Sequence, residues 1–163
     1  MTERGRPGAW EVQCLFAVYN GLVMAFAVAG LSQNLHRGRW AGSFALLLAV
    51  GLLGLLMWPV PMDPIGTGPT PSGILHIALA ALMSLASIGA IGLSVLGWRS
   101  TPNGAGPALF SLLCLAMVVA SGLLAAIAAV GGWPTMGLLE RITIGAFLLW
   151  MAVTAVLLLL AHK

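Results

Sequence analysis

Of 163 residues, 60% are hydrophobic and 7% charged, against about a quarter charged in soluble domains, which excludes a water-soluble globular fold and places the chain in a bilayer. The formal net charge of +3 comes from basic residues scattered singly at the ends of apolar runs. It reads as a topology signal, and nucleic acid is not an expected partner.

No Asp, Glu, Lys or Arg occurs between Arg39 and Asp63, Asp63 and Arg99, Arg99 and Glu140, or Arg141 and Lys163. About 20 apolar residues cross the hydrocarbon core, so each gap holds at least one spanning helix. A further apolar run, Val12 to Leu31, is too long for a signal-peptide core and lacks a cleavage site, so it is expected to be retained. The expected fold is an all-α integral membrane protein, a bundle of five transmembrane helices forming a single membrane domain over 1–163 with no soluble domain. Its spans fall at about 11–32, 40–57, 71–97, 107–130 and 136–161.

The polar tail Met1 to Ala9 leads to Trp10, an interfacial residue, and the first helix. Gly21, Ala25 and Ala29 recur there at every fourth position, a stripe against which another helix backbone can pack closely. Asn20 sits near mid-membrane and requires a partner on another helix, which makes it interhelical glue or, less simply, a substrate contact. The basic loop Gln33 to Arg39 precedes Trp40 and a second helix with a purely structural composition.

The stretch Trp58 to His76 organises the chain. Pro59, Pro61, Pro64, Pro69 and Pro71 deny its backbone donors and forbid a continued helix. Thr70-Pro71 is an N-cap followed by proline at the first helical position, so the third helix starts there. On that register His76, Ala80, Ser84, Ser87 and Ser94 share a face, expected to look inward. The turns at Thr101 to Gly104 and Gly131 to Thr135 bound an Ala-rich fourth helix, and Glu140 and Arg141 lie one to two turns inside the fifth. Cys14 and Cys114 fall at different depths, so no disulfide is expected between them.

Five spans put the N-terminal tail, Asp63 and Glu140 on one side, and Arg37, Arg39, Arg99 and Lys163 on the other. The second side carries no acid. The internal loops thus favour an outside N-terminus and a cytoplasmic C-terminus in a bacterial inner membrane. Trp10, Trp40, Trp58, Trp98 and Trp133 then fall at predicted interfaces as an aromatic belt.

Asp63, His76, Glu140 and Arg141 share the outer side and form the candidate polar cluster. Glu140 and Arg141 point about 100° apart on a helix, so the expected pairs are Glu140 with His76 and Arg141 with Asp63. Asp63, His76 and Glu140 offer the donor types for a divalent metal and hence a lipid hydrolase, although their spacing matches no strong metal motif and no metal is assigned. An acid/base pair at His76 has no activated serine or cysteine beside it. Arg141 and His76 could instead hold a phosphate or carboxylate headgroup. The structural alternative is a satisfied network that fixes the Pro-rich loop to helices three and five.

At Pro61-Met62-Asp63-Pro64, Leu75-His76 and Leu138-Leu139-Glu140-Arg141, with Trp150 beyond, the chain resembles a bacterial multi-pass membrane family, domain of unknown function 998, from about Tyr19 onward. The resemblance implies a helical membrane protein with these acidic and histidine positions at its centre, and it supplies no activity and no cofactor. The family pattern has a further helix before the first span seen here, so the resemblance also implies a bundle short of its first helix. Two functions follow as expectations. One is a non-catalytic accessory or assembly subunit with a protein partner in the membrane. The other is an outer-leaflet site for a lipid headgroup or small ligand, with a metal-dependent lipid hydrolase using Asp63, His76 and Glu140 as its catalytic form.

Overall fold

The computed structural model describes residues 9–35, 38–63, 68 and 70–161. The basic tail with Arg4 and Arg6, and Arg37, Pro64, Pro69 and Lys163, lie outside the described residues. Among the described residues the chain is helical: α1 (Ala9–Gly30) continuing into a π-helical turn (Leu31–Leu35), α2 (Arg39–Leu56), α3 (Pro71–Trp98), α4 (Ala105–Val130) and α5 (Met136–Ala161). All five α-helices are long and apolar enough to cross a membrane, from 18 residues in α2 to 28 in α3. The chain is therefore an all-α multi-pass membrane protein with five spanning helices.

The chain divides into two compact units, Met1–Ser87 and Ile88–Lys163, and the division falls within α3. In the first unit α1 packs on α2. The α1 face that does so is the row Asn20, Val23, Ala27 and Gly30, all buried, at the three-and-four spacing of one helix face. The neighbouring stripe Gly21, Ala25 and Ala29 is exposed. Facing residues on α2 are Ser43, Phe44, Leu47, Val50 and Gly51. Close approach depends on small residues at defined points. A Cβ at Gly30 would enter the Phe44 ring, and one at Gly54 would occupy the space of the Asn20 carboxamide. Asn20 Nδ2 donates to the Phe16 carbonyl at 2.8 Å, leaving its oxygen against Gly54. At the end of the pair, Trp10 meets Trp58 edge to face at 5.7 Å between ring centroids.

In the second unit α4 packs on α5. The buried row on α4 is Ser111, Cys114, Val118, Ser121, Ala125 and Ala128, the alternating three-and-four spacing of left-handed packing. Two polar contacts fasten it. Trp150 Nε1 donates to both Ser94 Oγ and Ser111 Oγ at 3.2 Å, joining α3, α4 and α5. Ser121 Oγ and Thr143 Oγ1 stand 2.7 Å apart, while each also contacts the carbonyl four residues before it, Met117 and Leu139. Two hydroxyl hydrogens serve three acceptor contacts there, so the pair shares its protons. The α4 helix stops at Gly131, where Gly132 takes φ 65° and Trp133 N–H returns to the Ala128 carbonyl at 2.8 Å, a glycine-dependent C-terminal cap.

Two expectations from the sequence are corrected. Ser84 is exposed and not inward-facing. Its hydroxyl donates to the Ala80 carbonyl at 2.9 Å, and a helical serine satisfied in this way is free of any need for an interior partner. Asn20, expected to find its partner on another helix, bonds within α1 to the Phe16 carbonyl, and its Oδ1 meets no hydrogen-bond donor among the described residues. At the end of α3, the Trp98 carbonyl anchors the following turn through Thr101 N–H and Oγ1–H at 2.9 and 2.8 Å.

Candidate functional site

The Pro-rich connection folds back along the start of α3 through bonds that the prolines leave available. After α2 the chain makes two tight turns, with Trp58 N–H on Leu55 O and Val60 N–H on Met57 O, both at 3.1 Å. Pro59 and Pro61 have no N–H, so at those positions the backbone offers only its carbonyls. Val60 O accepts from His76 Nδ1 at 2.7 Å, and Pro61 O accepts from Ser72 Oγ at 3.4 Å. Asp63 completes the run. Its Oδ2 accepts Thr70 N–H at 2.8 Å and its Oδ1 accepts Thr70 Oγ1–H at 2.6 Å.

Thr70 is the N-cap of α3. Its Oγ1 accepts Gly73 N–H at 3.1 Å and its carbonyl accepts Ile74 N–H at 2.9 Å, the geometry that satisfies donors left open at a helix start. With its hydroxyl hydrogen on Asp63 and its oxygen on Gly73, the Thr70 side chain relays the carboxylate to the helix end. An anion at that place is favoured by the helix dipole. Asp63 also sits directly against Gly73, where any Cβ would collide with its carboxylate.

The His76 bond assigns its tautomer. A carbonyl oxygen only accepts, so Nδ1 carries the hydrogen, and the neutral ring keeps its lone pair on Nε2. The ring is half-buried and oriented by a backbone carbonyl, the arrangement that fixes the direction of Nε2.

Asp63 and His76 are thus brought to one place in the first unit, each bonded to the chain across from it. Glu140 and Arg141 belong to the second unit and are both exposed in the second turn of α5. Asn20 is buried in the α1–α2 contact, where Gly54 faces it. Among the described residues no three His, Cys, Asp or Glu side chains gather as a metal-holding group. Sequence reasoning missed Thr70 as the relay of Asp63, Gly73 as the residue that admits it, and Ser111 as a partner of Trp150. Only the Thr70-Pro71 pair carried a local signal.

No curated protein and no solved structure matches the chain. The model of one family, described as "Protein of unknown function (DUF998)", matches residues 2–157, a stretch that begins ahead of Tyr19 and takes in α1, the proline-rich segment, the α3 start, Glu140, Arg141 and Trp150. The chain belongs to this family of unknown function.

Proposed function

We propose that the chain is a non-catalytic polytopic protein of the bacterial inner membrane that acts by packing, as an accessory or assembly subunit of a larger membrane complex. The observation that supports this reading is the engagement of Asp63. Its two carboxylate oxygens hold the N-cap of α3, a structural task that competes with catalysis or ligand binding. The exposed Gly21, Ala25 and Ala29 stripe on α1 is consistent with a helix from another protein. In this reading the N-terminus is outside and the C-terminus cytoplasmic, as the excess of Arg and Lys in the second set of loops favours. Purification from native membranes in mild detergent tests it. A second polypeptide is expected at fixed stoichiometry, and Gly21→Leu should release it while leaving the melting temperature unchanged. A chain that runs alone, or only with copies of itself, ends the subunit reading.

A second reading is favoured by the open Nε2 of His76: an outer-leaflet site in which His76 and Arg141 hold a lipid headgroup or small anionic ligand, with Asp63 and Glu140 beside them. The metal-dependent lipid hydrolase using Asp63, His76 and Glu140 is its catalytic form, and the engagement of Asp63 with Thr70 counts against that form. The reading requires Glu140 and His76 to interact, which a double-mutant cycle measures. His76→Ala and Glu140→Gln are each expected to lower the melting temperature, with the double variant losing less than the sum. Additive losses show that the two do not meet and remove the shared site.

A further inference from the structure

Glu140 and Arg141 are exposed about 6 to 8 Å along α5 from Met136, at the rise of an α-helix. Ionised side chains within a span are found paired or facing water, yet these two are sequence neighbours that diverge by about 100° and cannot pair with each other. Their divergence is itself a self-complementary pattern. A two-fold axis along the membrane normal, passing beside α5 midway between the directions of the two side chains, sets Glu140 of one copy opposite Arg141 of the other, and does so twice.

The residues that the same axis places at the centre of the contact suit it. Gly137, Ile144, Leu148, Met151 and Ala155 all lie within roughly 30° of the midline at 100° per residue. After Gly137 they follow at steps of seven, four, three and four, the spacing of a parallel left-handed helix pair with flanking charges. Ile144 and Leu148 are exposed at 45% and 38%, and Gly137 has no neighbour within 4 Å of its Cβ position. The face that α5 turns to α4, with Ala146, Trp150 and Thr154, lies elsewhere on the helix. We infer that α5 is a homodimerisation helix: two copies of this chain pair in parallel along the Gly137, Ile144, Leu148 and Ala155 seam, clasped by reciprocal Glu140 to Arg141 ion pairs. The inference rests on α5 alone and stands or falls separately from the accessory-subunit reading.

The test uses the full chain in bacterial-lipid vesicles, with Cys14 and Cys114 replaced by alanine and one cysteine introduced into α5. Oxidation is expected to link Ile144→Cys and Leu148→Cys into dimers. Leu149→Cys, exposed at 54% but roughly 130° from the seam, should give about tenfold less. In the Ile144→Cys chain, Glu140→Arg or Arg141→Glu each sets like charges opposite one another and should lower the linked fraction about tenfold, the factor expected from a polar contact within a membrane. The exchanged pair E140R/R141E recreates both ion pairs with reversed sense and should return the yield to within about twofold. Equal linking at 144 and 149, or an exchanged pair no better than the single variants, overturns the inference. The cysteine comparison keeps both charges native, so it decides even where a charge variant fails to fold. A second polypeptide bound to a chain that never links to itself would leave the subunit reading intact and remove the homodimer.

Discussion

Gly73 lacks a side chain at the one position of α3 where the Asp63 carboxylate must come in. Gly73→Ala is therefore expected to cost about 1–3 kcal/mol, the usual penalty for forcing atoms into a filled site. Asp63→Ala should cost a similar amount, about 1–3 kcal/mol, by leaving Thr70 without its acceptor. The diagnostic result is the combination: with the carboxylate gone, the added methyl meets little, so the double variant should lose clearly less than the sum in a detergent melt. Strict additivity would show that the carboxylate does not occupy the Gly73 approach. Thr70→Val should by itself cost about 1 kcal/mol as a lost N-cap. Of this group only the cap was legible, because Thr-Pro at a helix start is a local pattern with a local cause. Asp63 reaches Thr70 across seven positions of proline-interrupted chain, and which acid closes such a loop depends on its path in space, which no periodicity reports.

Each helix pair sets a buried polar side chain against very small or hydroxyl-bearing neighbours. In the α1–α2 pair, the Asn20 carboxamide takes the space beside Gly54. Gly54→Ala should separate the helices and lower the melting temperature, whereas adding Asn20→Ala should recover much of the loss. If the second substitution makes matters worse, the amide is held by something other than the glycine. That Asn20 would lie against another helix was legible from its depth, but its bonding was not, since the amide donates to Phe16 within α1 and its oxygen meets no donor among the described residues. The packing row was not, since Gly21, Ala25 and Ala29 have the better small-residue spacing and yet α1 uses the adjacent row of Val23, Ala27 and Gly30. The used row is the one that meets the partner helix's own features, Gly54 opposite Asn20 and Phe44 opposite Gly30, which the α1 sequence does not carry. Around α5, Trp150→Phe removes two hydrogen bonds. Membrane hydrogen bonds average about 0.6 kcal/mol each, so a loss near 1 kcal/mol is expected, and Ser94→Ala or Ser111→Ala alone should give about half of it. A loss well beyond that would mean the indole acts through its shape.

At the scale of the whole molecule, the five spans were legible because hydrocarbon selects composition strongly over long windows. Orientation is a finer matter resting on a few Arg and Lys residues. A reporter fused after Lys163 is expected to be active in the cytoplasm and silent outside; the reverse activity would invert every assignment of an outer face. The unequal helix lengths have a consequence for where such a protein is stable. At about 1.5 Å per residue, the 18 residues of α2 reach roughly 27 Å, short of a typical hydrocarbon core of about 30 Å, while the 28 residues of α3 exceed it. The long helix adapts by tilting, whereas the short one draws the bilayer inward or relies on snorkelling flanks and association. The protein should therefore partition into thin bilayers and unfold at progressively lower temperature as acyl chains lengthen from 14 to 22 carbons, making lipid chain length an unlooked-for determinant of where in a heterogeneous membrane it collects.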